Sequence, residues 1–187
     1  MTLKTDKYVY EGAAINLRPI IREDYTVSFL RWANDPEFNR YLSHGLRTTT
    51  KEMMDNLFDE LSKKENRIFA IVVPKTEKTI GIIGLHQFNR VNSSCEYAIH
   101  IGEKEFWGGG AASEATEFIL RYGFTELGFH KIWLGVNEDN ARAVKFYEKN
   151  GFVREGVLRD ECINRDGKYS GSVRMSVLRG EYDKKRV

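Results

Sequence analysis

The sequence predicts an α/β fold, with a single mixed, mostly antiparallel central sheet and helices on both of its faces. Three observations lead there. The periodic segments run in the order β–α–α–β–β–β–α–β–α–β–β. The three middle strands are joined by short polar connections that suit antiparallel hairpins. Behind them, after a run of three glycines, the apolar spacing changes from two residues to between three and four.

Each element has its own signal. Residues 13–18 alternate apolar and polar side chains up to Pro19, which reads as a first strand. Asp24 is placed to cap a helix over 25–33, and Asn34-Asp35-Pro36 breaks it. A short helical stretch is expected over 37–42. Thr48 to Glu52 reads as a cap for a second helix, in which Met53, Met54, Leu57, Phe58 and Leu61 recur on one face. Residues 67–73, 79–87 and 94–101 are the middle strands. A helix follows over 111–127, with Ala112, Ala115, Phe118, Ile119 and Tyr122 along one side. Residues 131–136 form a strand, and 140–149 a helix stopped at Asn150-Gly151, glycine being the usual residue just past a helix end. The last strands are 152–158 and 172–178, with Asn164-Arg165-Asp166-Gly167 as the turn signal between them. The tail from Tyr182 onward reads as a solvated end.

Composition narrows the class. The 187 residues divide into no Pro/Gly/Ser-rich segments, so one domain over 1–187 is expected, with its core at about 13–180. Lys and Arg number 29 against 27 Asp and Glu, too balanced for nucleic acid as the main partner. No apolar run has the length of a membrane span, and residues 1–7 lack the apolar stretch of a signal peptide. Cys95 and Cys162 make no disulfide framework, so a reduced, cytoplasmic setting is expected.

Residues 107–114 read Trp-Gly-Gly-Gly-Ala-Ala-Ser-Glu, between a predicted strand and a predicted helix. Glycines let the backbone turn sharply and approach a ligand. The first helical amides lack intrahelical acceptors and favour an anion, a phosphate above all. A tight turn with no ligand explains the same residues. The loop lacks the Gly-Lys-Ser/Thr of a nucleotide P-loop, and Gly108-x-Gly110-x-x-Ser113 is only part of a dinucleotide fingerprint.

The segment Trp107-Gly108-Gly109-Gly110-Ala111-Ala112 resembles the acyl-CoA motif of the GNAT superfamily of N-acetyltransferases, whose pattern is Arg/Gln-x-x-Gly-x-Gly/Ala. Trp107 departs from it by replacing the usual first Arg or Gln. Residues 140–152, from Asn140 through Ala143 and Tyr147 to Gly151-Phe152, are similar to that family's Asn-x-x-Ala-x-x-x-Tyr-x-x-x-Gly-Phe segment. Leu17-Arg18-Pro19, Trp32-Ala33-Asn34-Asp35-Pro36-Glu37 and Glu155-Gly156 are similar to its RimJ/RimL-like branch, and 96–175 also looks like spermidine acetyltransferases.

The resemblance implies a GNAT fold in which strands 94–101 and 131–136 splay apart. Acetyl-CoA is the implied co-substrate, with no metal. Its pantetheine arm would meet the backbone of Ile99, His100 and Ile101. Its pyrophosphate would meet the loop from Trp107 through Gly108, Gly109, Gly110, Ala111 and Ala112 to Ser113. Asn140 and Tyr147 would face it from the following helix. The acceptor would be a primary amine: a protein N-terminus, a polyamine or an amino sugar.

Chemistry sets two demands on such a site. A lysine-like amine is neutral in only about one molecule in 10³ to 10⁴ at pH 7, a handicap of roughly 4–5 kcal/mol. A base is therefore needed, and the resemblance points to Glu96, for which an ordinary strand carboxylate is the competing reading. The departing thiolate needs an acid, and Tyr147 holds that position; a core tyrosine is the competing reading. Glu96 and Tyr97 must point to opposite faces of their strand. Glu103, Glu105 and Glu114 read as surface or helix-start charges. Among the histidines, His44 and His130 read as ordinary, whereas His86 and His100 on neighbouring strands could line an acceptor site. Asp35, Glu37 and Tyr41 would lie on the acceptor side. A non-catalytic acyl-CoA-binding module and a dinucleotide-binding protein remain as other classes, and a homodimer through exposed strand edges is a further expectation.

Overall fold

The computed structural model describes residues 7–42, 46–62, 65–164 and 166–184. Eight strands lie in one sheet: β1 (Tyr10–Glu11), β2 (Asn16–Pro19), β3 (Arg67–Val72), β4 (Thr79–Asn89), β5 (Ser94–Ile101), β6 (Lys131–Asn137), β7 (Val153–Ile163) and β8 (Tyr169–Leu178). Their order across the sheet is β1-β2-β3-β4-β5-β6-β8-β7. Every neighbouring pair is antiparallel except β5 and β6, which are parallel.

Strand alternation gives the sheet two apolar faces. Ile82 of β4 packs with Tyr25, Phe29, Trp32 and Met54. Ile83 and Leu85 of the same strand face the other way, toward Tyr97, Ala115, Ile119 and Phe124. The first face carries α1 (Leu30–Ala33) and α2 (Lys51–Ser62). The second carries α3 (Ala111–Arg121), α4 (Ala141–Lys149) and the terminal α5 (Arg179–Lys184).

The predicted elements differ from the observed ones in a few places. Asp24 begins a π-helical segment, Asp24–Phe29, that leads into α1. Its carboxylate does not cap the helix. It accepts the Ile21 N–H at 2.9 Å and pairs with Arg18 through two hydrogen bonds of 2.7 and 2.8 Å, tying the helix to β2. Residues 37–41 are turns rather than helix: the Asp35 carboxylate accepts the Glu37 N–H at 2.8 Å, a local bond that competes with helix. Thr50 caps α2, accepting the Met53 N–H at 3.3 Å. The helix expected over 111–127 leaves α-geometry at Arg121 and ends in a π-helical turn, Tyr122–Glu126. The tail folds back: Glu181 accepts the Leu178 N–H at 2.9 Å, and Tyr182 is buried with its ring 4.9 Å from that of Phe124.

Candidate active site

The sheet opens at its middle. β5 and β6 pair only at Ser94, Cys95 and Glu96 against Lys131, Ile132 and Trp133. Past Glu96, the strand from Tyr97 to Ile101 keeps β4 on one side, and the rest of β6 keeps β8 on the other. The two therefore diverge into a slot with unpaired backbone along both walls.

Register decides which backbone groups face that slot. The Gly102 N–H donates to the Ile80 carbonyl at 2.9 Å, and alternation along an antiparallel pair turns His100 to β4 as well. The His100 carbonyl lies against Gly81, where an added Cβ would stand 2.4 Å from it. Ile99 and Ile101 then face the slot. This corrects the expectation of three consecutive backbone contacts: a strand offers every second residue to one neighbour, so the His100 backbone belongs to the sheet. The Ile101 carbonyl is also engaged, accepting the Trp107 indole N–H at 2.8 Å.

At the slot's mouth is the glycine loop. Gly108 and Gly110 have φ of 82° and 92°, in the left-handed region where side chains are strained. A Cβ at either would enter space that no protein atom fills. Gly110 is the N-cap of α3 with no side-chain cap, and the Glu114 N–H is the first to bond back, to the Gly110 carbonyl at 3.0 Å. The amides of Ala111, Ala112 and Ser113 are thus left without intrahelical acceptors beside open space, which fits a pyrophosphate. Glu114 points elsewhere, accepting from the Tyr10 hydroxyl and the Ala14 N–H. Trp107 turns its ring toward α4, where the Arg142 guanidinium carbon sits 4.5 Å from the ring centroid. Arg142 is exposed in the first turn of α4 and brings a cation to the loop position where the family's Arg or Gln is missing. Sequence reading did not single it out, although its place in the Asn-x-x-Ala segment was in view.

The acid and base candidates stand on either face of the slot. Tyr147 of α4 packs its ring 6.0 Å from that of Tyr97 and 5.7 Å from that of Phe152. Burial pushes its phenol up to about 12, so it stays protonated at neutral pH. Tyr97 beneath it is fully enclosed, its hydroxyl 2.8 Å from that of Thr116. Asn140 does not present its side-chain oxygen to the slot: it caps α4, accepting the Ala143 N–H at 3.2 Å. The seven-residue spacing of Asn140 and Tyr147 suggests one shared face, but Asn140 precedes the helix and its conformation serves the orphan amides there.

Glu96 is on the opposite face from Tyr97, the last residue of β5 to pair with β6. Burial pushes its carboxyl up, with Arg174 pulling the other way. Its Oε2 lies 3.6 Å from His86 Nδ1 across the β4–β5 register, and burial lowers the His86 pKa. His86 and His100 both line a cavity on this face, whereas His130 is exposed and His44 lies outside the described residues.

The charges near α1 are more tightly organised than sequence reading implied. Glu103, expected at the surface, is buried. It accepts from Trp32 and Lys78 at 2.8 Å each and from Arg31. Asp35 and Glu37 share Lys104, at 2.8 and 2.6 Å. Cys95 and Cys162 are both free. Among the described residues no group of three or more His, Cys, Asp or Glu is placed to hold a metal ion, and no helix is long and apolar enough to cross a membrane.

A family model described as the acetyltransferase (GNAT) domain matches residues 14–153. The chain belongs to the GNAT acetyltransferase family. It is 36% identical over 175 residues to a spermidine N(1)-acetyltransferase of Vibrio cholerae, covering 91% of this chain and 96% of that protein. It is 31% identical over 172 residues to an uncharacterized N-acetyltransferase, p20, of Bacillus licheniformis, covering 90% and 94%. The crystal structure of spermidine N-acetyltransferase from Vibrio cholerae in complex with CoA and spermine superposes with a TM-score of 0.80 at 28% identity, covering 91% of this chain and 99% of that one. The protein is an N-acetyltransferase of this family.

Proposed function

We propose that the slot between β5 and β6 holds acetyl-CoA while a primary amine approaches from the α1–α2 face, within a single N-acetyltransferase domain. The observation that carries the reading is the three-residue pairing of β5 with β6 followed by divergence, with the glycine loop at the open end. The amides of Ala111, Ala112 and Ser113 hold the pyrophosphate, and Arg142, stacked on Trp107, adds the cation. The backbones of Ile99 and Ile101 bind the pantetheine arm as an added strand would, Ile101 through its N–H while Trp107 keeps its carbonyl.

Bound acetyl-CoA supplies an activated acyl thioester, and the chain handles the protons. Glu96 takes one from the ammonium, directly or through a water, so that the neutral amine attacks. As the C–N bond forms and the C–S bond breaks, Tyr147 gives a proton to the departing thiolate, and the second proton of the amine nitrogen restores the phenol. The phenol is protonated at neutral pH, so the proton is there to give.

The motifs support the RimJ/RimL-like branch, and the two free cysteines support a cytoplasmic setting. We assign self-association to β7 rather than to the slot edges: it is an edge strand with Val153, Val157 and Leu158 exposed. The spermidine acetyltransferases among the relatives support an aliphatic amine as acceptor.

Tyr147→Phe tests the assignment of the acid. Turnover, followed by thiol release, is expected to fall about 10²-fold or more, with CoA affinity changed less than threefold. Equal turnover in the variant removes Tyr147 from the mechanism. CoA binding without thiol release in the wild type, across a broad amine pool, favours the non-catalytic binding module.

A further inference from the structure

We propose that the acceptor amine carries an apolar body, and that the cavity between the π-helical segment Asp24–Phe29, α2 and the sheet seats it. The inference rests on the acetyltransferase reading and names its substrate class.

The cavity measures about 290 Å³, at the small end for small-molecule sites. Phe29, Met54, Leu57 and Ile82 form much of its wall, and Thr49, His86 and His100 supply polar lining. Among the described residues, none that lines it is a carboxylate. One end reaches the reacting position, because His86 lines the cavity and also stands 3.6 Å from Glu96, where the strands part. An amine at Glu96 would therefore have its carbon chain against α2.

A polyamine is a poor match for this wall. Its further ammonium groups would meet methionine and leucine side chains and lose their hydration without a partner. Several carboxylates of the surrounding elements are already engaged: Asp35 and Glu37 with Lys104, Glu103 with Arg31, Lys78 and Trp32, and Asp55 and Asp59 with Arg22. An alkyl or arylalkyl monoamine asks only for apolar contact and a base at one end. Met53 and Met54 at the wall let that contact adjust to shape.

The test compares kcat/KM for propylamine, hexylamine, 2-phenylethylamine and spermidine at saturating acetyl-CoA, alongside the thermal shift caused by acetyl-CoA alone. Primary alkylamines share one reacting group, so differences between them report the body. Burying three more methylenes is expected to favour hexylamine over propylamine by about fiftyfold. Hexylamine and 2-phenylethylamine are expected to exceed spermidine at least tenfold. Leu57→Ala should lower kcat/KM for hexylamine by a larger factor than for propylamine, shrinking the preference between them. Met53→Glu, at a half-exposed position that tolerates charge, should move the preference toward spermidine. A flat alkyl series, or spermidine ahead of hexylamine, overturns the proposal. So does a thermal shift with acetyl-CoA but no acetylation of any alkylamine, and in that case the donor site stands. No shift with acetyl-CoA overturns the acetyltransferase reading beneath it.

Discussion

At the residue scale, the pairing of Arg142 with Trp107 separates two contributions to donor binding. Trp107 spends its one donor on the Ile101 carbonyl, so it has none for a phosphate. Arg142 lies across its face with a guanidinium free to turn toward the loop. Arg142→Ala is expected to weaken CoA binding about tenfold, measured by calorimetry, and to leave pantetheine binding unchanged, because only CoA carries the pyrophosphate. Equal losses for both ligands would show that Arg142 acts by packing alone. Glu96 governs pH in a direction its environment sets. A base must be deprotonated, and burial raises this carboxyl. The acid limb of kcat/KM should therefore begin at higher pH than an ordinary carboxylate gives, and activity should fall as pH drops through the raised value. Glu96→Gln should lower the rate by about 10²-fold or more and remove that limb. The roles expected of Glu96 and Tyr147 could be drawn from sequence because chemistry and motif met at single positions. The Arg142–Trp107 contact joins residues 35 positions apart, and no local pattern signals it.

At the element scale, α1 is pinned to the end of β5 by a buried cluster. The Trp32 ring lies so close over Gly102 that an added Cβ would stand 1.8 Å from it. The Trp32 indole N–H donates to Glu103, which also holds Lys78 and Arg31. Burial alone would raise the Glu103 carboxyl, but the three donors together hold it below its ordinary value. A carboxyl lowered in the folded state stabilises above its unfolded pKa, near 4.3, and that stability is lost as pH falls through the folded value. Glu103→Gln should cost about 2 kcal/mol at pH 7 in urea unfolding, with the difference shrinking below about pH 4. A difference that is constant with pH would place the loss in packing. Strand limits such as 94–101 were legible because alternation is local. The burial of Glu103 was not, since its partners Arg31, Trp32 and Lys78 come from other elements. Likewise α5 was hidden in a charged tail whose one large apolar residue, Tyr182, finds Phe124 only in the folded chain.

At the scale of the whole molecule, the sheet is two blocks joined by three register pairs, with a slot where a fourth would begin. The fold class was readable because element order and hairpin spacing limit the topologies. Which backbone groups stay open was not readable, since it depends on the register between β4 and β5. That register now makes a prediction about exchange. The amides of Ile99 and Ile101 face the slot, whereas that of His100 is tied to β4. In the free protein, hydrogen exchange should be fast at Ile99 and Ile101 and slow at His100. CoA lying in the slot as an added strand should slow the first two and leave the third unchanged, because its hydrogen bonds reach only every second residue. The ligand also bridges the blocks, so binding should raise global stability. At a hundredfold excess over Kd the linkage amounts to about 2.7 kcal/mol, or roughly 5–10 °C in Tm for a chain of this length. Exchange at Ile99 and Ile101 that stays fast when CoA binds would mean that the donor does not lie in the slot.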